Sequence, residues 1–445
     1  MGCRGSKETT QDGRSIYERE SLGKRPTDHD GSINCMALSE DGSLLITGSE
    51  DCTARMWSTK TDDTECLGAL EGHTSYITCV ASCDTFVVTG SADSTIKKWD
   101  MTSCDCLFTY EGHESRISRI ICTGEFIFSS SYDKTARAWL FDTSDLGDGN
   151  ESKACIRVFK GHRGGVYPII FVAAQDQGSD SEVDDADADM VTIHPGDLLL
   201  TGSVDKTAKS WSFDSETGSS LRTFRGHTAP VSCMATDRDG TVLFTAGPDR
   251  TIKIWEISSA ICKQTMEGHN QSIVCMQVVN KLLYSGSADT TARCWVTEFG
   301  DCTRTYKSHK HSVICLKVAD GVVFTGCGDT LARAFDAKSG ALKRSYMGHE
   351  AAINCLQYIE GKLYTGSNDG VLKVWDAKNI ADDPPPEDTQ NEDEDEQPEE
   401  RGYYREQDKR LKDLERRLDG ANQDNINHDD DIKAYERELA ALDDD

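Results

Sequence analysis

Two adjacent apolar residues, a polar turn and an alternating return that ends on an indole form a pattern that recurs along this chain. Its first copy runs from Leu45 to Trp57. Leu45 and Ile46 are neighbours, so in an extended strand they face opposite sides. A strand that is apolar on both sides is covered on both sides. Gly48 to Asp51 supplies a tight turn, because an Asp carboxylate accepts backbone N–H bonds in a bend. Residues 53–57 return as a second strand and end in the largest apolar side chain available.

An Asp stands six residues before a Trp seven times, at Asp51/Trp57, Asp93/Trp99, Asp133/Trp139, Asp205/Trp211, Asp249/Trp255, Asp289/Trp295 and Asp369/Trp375. An eighth copy ends in Phe, at Asp329/Phe335. The chain has seven Trp, and all seven occupy this one position, which excludes coincidence. A His precedes each Asp: His29, His73, His113, His162, His227, His269, His309 and His349. Five of the His-to-Asp gaps are 20 residues, two are 22 and one is 43. Repeats of about 40 residues carrying four short strands each are the signature of propeller blades. Eight units therefore predict an all-β, eight-bladed ring.

With its Gly-His and Trp-Asp signatures, the region 24–378 resembles the WD-repeat β-propeller family. The match is in register over eight units. It has departures: His29 and His309 lack the preceding Gly, several units lack an Asp after the Trp, and Phe335 replaces an indole. Four residues before each Asp stands Thr47, Thr89, Ser129, Thr201, Thr245, Ser285, Thr325 or Thr365. The resemblance implies a tetrad in each unit, running indole N–H to hydroxyl, hydroxyl to imidazole, and imidazole to carboxylate. Each buried bond of this kind contributes about 1 kcal/mol net. A hydroxyl, an imidazole and a carboxylate in that order also resemble a hydrolase triad. Eight copies inside packed blades argue for scaffolding, since a nucleophile needs one exposed site with an oxyanion hole. The expectation is a non-enzymatic protein with no metal and no cofactor.

The predicted organisation is a flexible N-terminal tail over 1–18, the propeller over 19–378, an acidic Pro-containing linker over 379–402 and a helical, coiled-coil-like segment over 403–442. A strand over about 18–27 would complete the last unit and leave no free sheet edge. Pro26 is tolerable there because an outer strand has an open side. Two insertions break the period, about 142–153 in unit three and 174–196 in unit four. Antiparallel connectivity puts both at the end of the ring opposite the His loops, where the chain termini also leave it.

The net charge of −29 sits mainly in the appended segments. Residues 176–197 hold eight acids and no bases, and 381–400 hold eleven acids and no bases. Such segments repel phosphate, so nucleic acid is not an expected partner. The acidic insert is too poor in apolar residues to fold alone. Of eighteen Cys, six lie six residues after a blade His: Cys35, Cys79, Cys233, Cys275, Cys315 and Cys355. Equivalent inner-strand positions make them reduced, buried packing groups rather than disulfides.

At the start, Met1-Gly2-Cys3-Arg4-Gly5-Ser6 fits N-myristoylation on Gly2 with palmitate on Cys3. One myristoyl chain binds a bilayer only marginally, so the second acyl group is needed for a stable anchor. A polybasic signal does not supply it, because residues 1–30 hold six bases and six acids. A peripheral cytoplasmic location at the membrane is the expectation. In the tail, Tyr404, Leu411, Leu418, Asn425, Ile432 and Leu439 repeat every seven residues, with Gln407, Leu414, Ala421, His428, Tyr435 and Leu442 three residues behind and a polar middle. That spacing leaves two readings open, short independent helices or a coiled coil that self-associates or docks on a partner helix.

The His loops and Asp turns share one face. Tyr76, Arg116, Tyr132 and Arg163 stand at loop positions in units two to four where other units have small residues. Tyr and Arg are enriched where partners dock. The chain reads as a scaffold for protein partners. The alternative is a substrate receptor of a cullin-type ubiquitin ligase. Family members of that kind use an Arg three residues after the blade Trp, and here that position holds Lys60 or Lys378 and never Arg. Phe335 has no N–H for Thr325, so amide exchange on the full chain should find unit seven the least protected. Equal protection in all eight units would count against the tetrad.

Overall fold

The computed structural model describes residues 28–61, 65–144, 151–173, 196–213 and 218–380. The predicted tail, linker and heptad segment, the core of both insertions and the strand over 18–27 lie outside the described residues. Blade 1 is β1 (Ile33–Leu38), β2 (Leu44–Ser49), β3 (Ala54–Ser58) and β4 (Cys66–Leu70), paired antiparallel in chain order. The same order builds blade 2 (77–110), blade 3 (117–160), blade 4 (166–225), blade 5 (233–266), blade 6 (273–306) and blade 7 (313–346). Blade 8 has three strands among the described residues: Ile353–Ile359, Lys362–Ser367 and Leu372–Asp376. The chain is an eight-bladed β-propeller.

The paired apolar residues of each second strand explain the ring. Ile46 packs with Ile77, Val87 and Trp99, against blade 2. Its neighbour Leu45 points the other way and packs with Tyr364, Leu372 and Val374 of blade 8. One strand thus glues its sheet to both neighbours, because successive side chains face opposite sides. Repeating this in every blade closes the circle. At the closure, Ser32 Oγ donates to Asn368 Oδ1 at 2.6 Å and Asn354 Nδ2 to the Ile33 carbonyl at 3.0 Å. The His29 amide donates to the Gly370 carbonyl at 3.1 Å, so the chain enters blade 1 along the edge of blade 8.

The six repeated cysteines sit on the innermost strands, packed between blades. Each lies over a small residue of the second strand. A Cβ placed on Gly326 would fall 2.5 Å from Cys315 Sγ and 2.8 Å from Ile353 Cγ2 of blade 8. Gly48, Gly90, Gly286 and Gly366 meet Cys35, Cys79, Cys275 and Cys355 in the same way. Burial pushes these thiols up, to about 11 for Cys79 and about 12 for Cys233 and Cys355. Blade 3 breaks both halves of the rule at once. Arg119 stands where the Cys would be and Ser130 where the Gly would be, and Ser130 Oγ donates to the Tyr167 carbonyl at 2.9 Å.

Gly326→Ala should therefore destabilise the protein by roughly 1–3 kcal/mol through overpacking. Because the nearer of the two clashing atoms is the Cys315 sulfur, Cys315→Ala should recover part of that loss. A double-mutant cycle in denaturant that shows strict additivity would rule the contact out.

Candidate functional site

Each blade is held by a chain of polar side chains behind one face of the ring. In blade 1, Trp57 Nε1 donates to Thr47 Oγ1 at 2.9 Å, Thr47 Oγ1 meets His29 Nε2 at 2.8 Å, and His29 Nδ1 meets Asp51 Oδ2 at 2.8 Å. The carboxylate fixes the direction: it only accepts, so Nδ1–H donates to it, and Nε2 of the neutral ring accepts from the hydroxyl, which accepts in turn from Trp. The same three bonds occur in blade 2 (His73, Thr89, Asp93, Trp99), blade 3 (His113, Ser129, Asp133, Trp139) and blade 4 (His162, Thr201, Asp205, Trp211). They recur in blade 5 (His227, Thr245, Asp249, Trp255), blade 6 (His269, Ser285, Asp289, Trp295) and blade 8 (His349, Thr365, Asp369, Trp375).

The Asp does a second job, because its carboxylate also ties the two loops of its blade together. Asp93 accepts from the Thr74 amide in the His loop at 3.0 Å and from the Thr95 amide in its own turn at 2.9 Å. Burial alone would push such a carboxyl up. For Asp249, bonds from His227 and from the Thr228 and Thr251 amides overcome burial and hold it at about 2. Among the imidazoles, burial lowers His113 and His269, and the facing carboxylate only partly offsets it.

Blade 7 is wired differently. Phe335 gives Thr325 no donor, and Arg333 turns inward to hold Asp329, with Nη1 to Oδ1 at 3.0 Å and Nη2 to Oδ2 at 2.8 Å. His309 keeps Thr325 at 2.8 Å but leaves Nδ1 buried without a hydrogen-bond partner. Burial, with Arg333 alongside, drops His309 to about 3. All eight units carry Lys or Arg at this position. Elsewhere the cation turns away from the Asp, as Lys97 and Lys253 do in reaching Thr109 and Thr265 at 2.9 Å. Nothing in the pattern of residues marks Arg333 as the one that swaps partners, apart from the neighbouring Phe.

On the face in front of the tetrads, the structure brings two of the four singled-out residues together. Arg116 lies over the Tyr132 ring at 4.4 Å, and that ring rests on Gly165 of blade 4, where a Cβ would come within 2.8 Å of it. Tyr132 stays 44% exposed. Arg163 is exposed on the adjoining loop of blade 4. Tyr76, 36% exposed on blade 2, stacks on none of these side chains among the described residues. Beside the pair, a cleft of about 310 Å³ lies on blade 3 where the chain crosses to blade 4, lined by Lys134, Arg137 and Lys160 together with Glu114 and Asp133.

Sequence reasoning passed over the other exposed cations of this sector, Lys134, Lys160, Lys206, Arg225 and Arg250. A signal was available. The residue after the turn Asp is basic in three successive units, at Lys134, Lys206 and Arg250, and in no other.

The ring, the tetrads and the loop face define a WD-repeat propeller. The WD domain, G-beta repeat family matches residues 21–58, 64–100, 104–139, 218–256, 260–296 and 340–376, half of the chain, and the chain belongs to it. Among curated proteins it is similar to nuclear distribution protein PAC1 of Arthroderma benhamiae, 28% identical over 269 residues, 58% of this chain and 43% of that protein. It thus spans less than half the length of that relative. Over 51 residues it is 57% identical to human WD repeat-containing protein 86, a stretch covering 12% of this chain and 13% of that protein. A crystal structure of the computationally designed Ika8 protein shares the fold, with a TM-score of 0.65 and 23% identity, covering 82% of this chain and 99% of that one.

The depressed imidazoles set a pH dependence. A His whose folded value lies below its unfolded value takes up its proton only on unfolding. Stability is therefore full above about pH 6.5 and falls as pH drops toward the folded value. For His309 that window runs from about 6.5 to about 3, with a slope of at most about 1.4 kcal/mol per pH unit. His309→Gln should flatten the stability profile between pH 6 and 4 by up to one proton in denaturant titrations. An unchanged slope would mean that His309 is charged in the folded protein.

Proposed function

We propose that this protein is a non-enzymatic scaffold that presents its loop face to protein partners. The supporting observation is the exposed Arg116–Tyr132 pair, held on Gly165 in front of tetrads that keep the loops rigid. A pre-formed aromatic anchor beside a guanidinium suits a docking hot spot, because little side-chain freedom is left to lose on binding. Function on this fold resides in the loops, and the blades only position them. The PAC1 relatives carry a name that refers to nuclear distribution. The present chain fits a comparable adaptor role, with partners of its own.

We further propose that Gly2 and Cys3 carry acyl chains that tether the disc to the cytoplasmic side of a membrane. Two chains are required by the weak binding of one. The acidic segments would keep the ring off an anionic surface rather than flat on it.

One experiment addresses both parts. Proximity labelling with the intact chain, with Gly2→Ala, and with Tyr76→Ala/Tyr132→Ala should show three patterns. The intact chain labels membrane proteins and specific partners. The Gly2→Ala chain loses the membrane set, and the tyrosine variant loses the partners while keeping the membrane set. A tyrosine variant with every partner intact would remove the patch, and unchanged fractionation of Gly2→Ala would remove the tether.

A further inference from the structure

Charge on the loop face is uneven: the densest run of cations lies on blades 3 to 5, with a smaller group, Lys307 and Lys310, on the His loop of blade 7. In the His loops and Asp turns of blades 8, 1 and 2 the exposed charges include Glu350, Asp30, Glu50 and Glu71, and none of these loops holds a Lys or Arg. Across blades 3 to 5 the same positions expose Arg116, Lys134, Lys160, Arg163, Lys206, Arg225 and Arg250, with Glu111 and Glu114 at one margin. Among the described residues none of these seven cations is in an ion pair. They crowd one another instead. Burial lowers the Lys209 ammonium beneath the arc, and Arg225 and Arg163 lower it further, against only Asp205. The turn carboxylates Asp133, Asp205 and Asp249 form no ion pair with the arc, their oxygens being bonded to His113, His162 and His227, and they are three against seven cations.

The arc is also apolar. In three successive Asp turns the residue before the Asp is exposed and apolar and the residue after it is an exposed cation. The pairs are Tyr132 and Lys134, Val204 and Lys206, Pro248 and Arg250. No other blade combines the two. The cations sit at left-handed positions, φ 73, 71 and 69°, where blade 8 has Gly370 and blades 2, 6 and 7 have Ser94, Thr290 and Thr330. Three alternating apolar and cationic steps form a curved track across three blades.

Building on the reading of this face as a docking surface, we infer that the track of blades 3 to 5 binds an extended acidic segment of a partner protein in which carboxylates alternate with aliphatic or aromatic side chains. Uncompensated cations attract the carboxylates. Tyr132, Val204 and Pro248 give the apolar side chains somewhere to lie. The chain's own linker does not match. Residues 381–400 supply eleven acids but no aliphatic or aromatic side chain larger than alanine or proline. The acidic insert 174–196 leaves blade 4 at the opposite end of the ring, beyond the strand Val166–Val172. A nucleic acid offers no aliphatic side chains, and the chain's net charge of −29 opposes it.

The test uses fluorescence anisotropy on the full chain with a labelled peptide of alternating Glu and Leu/Phe. Controls are a Gln version, single-stranded DNA of equal charge, and free peptides copying 381–400 and 174–196. The acidic probe should bind at least tenfold more tightly than the Gln version, and more weakly as salt rises. Replacing Lys134→Ser, Lys206→Thr and Arg250→Thr inserts residues that other blades carry at the same turn, so the fold is kept, and binding should fall at least tenfold. Glu50→Gln/Glu350→Gln should leave it unchanged. Equal binding of the Gln probe, or an undiminished triple variant, would overturn the inference. So would DNA or either self-derived peptide binding as tightly as the probe. Proximity labelling separates the two levels. Partners lost with Tyr132→Ala but kept by the triple variant would leave the docking reading standing and sink the acidic one. Partners kept by both would sink both.

Discussion

The bond from each indole N–H to a buried Ser or Thr hydroxyl is the constraint on which the rest of this molecule depends. It anchors the inner end of a chain whose outer end sets the direction. The carboxylate can only accept, so the imidazole presents Nδ1–H to the Asp and accepts from the hydroxyl at Nε2, while the hydroxyl accepts from the indole. The Asp is left with lone pairs for the backbone amides of both loops. Order in the surface is thus transmitted from the core through three side chains. A buried donor or acceptor without a partner costs about 1–3 kcal/mol, more than a typical bond contributes. The chain of bonds is therefore difficult to remove one member at a time.

Blade 7 shows how the sequence responds when a member is lost. Without the indole, the imidazole lets go of the Asp and an arginine takes the carboxylate. The residue before the His changes as well. In six blades it is a Gly with φ near +150°, and a Cβ there would press on the far edge of the Trp ring, at 3.2 Å in Gly226 and 3.3 Å in Gly72. Phe335 has no such edge, and Ser308 occupies the position with φ 91°. Phe335 thus accounts for the changed partner of Arg333 and leaves room for Ser308. The missing ring is not the sole reason for losing the Gly, since blade 1 keeps Trp57 with Asp28 before its His.

The ring was readable in the residues because each unit restates the same apolar and polar positions, and seven indoles mark the register. The paired residues Leu45 and Ile46 even indicated that each sheet is covered on both sides. Chemistry spread over several units was less legible. Lys134, Lys206 and Arg250 lie far apart in the chain and share a surface only once the blades are placed around an axis. Arg333 was hidden for the opposite reason, since its position is basic in every unit and only the loss of the neighbouring indole frees it to change partners. Arg116 and Tyr132 stood out as loop residues, but their stacking on Gly165 belongs to the seam between two blades, which no single repeat contains.

The inner ring of cysteines gives the molecule a property unrelated to partner binding. Thiols attack only as thiolates, and burial keeps Cys35, Cys79, Cys233, Cys275, Cys315 and Cys355 protonated at neutral pH. Cys35 and Cys79 are closed off by their neighbours, whereas Cys233, Cys275, Cys315 and Cys355 keep part of their surface exposed. An alkylating reagent therefore meets the first two only when neighbouring sheets come apart, and their modification reports that the seams of blades 1 and 2 have opened. The wheel carries two dosimeters at its hub, silent while it is whole.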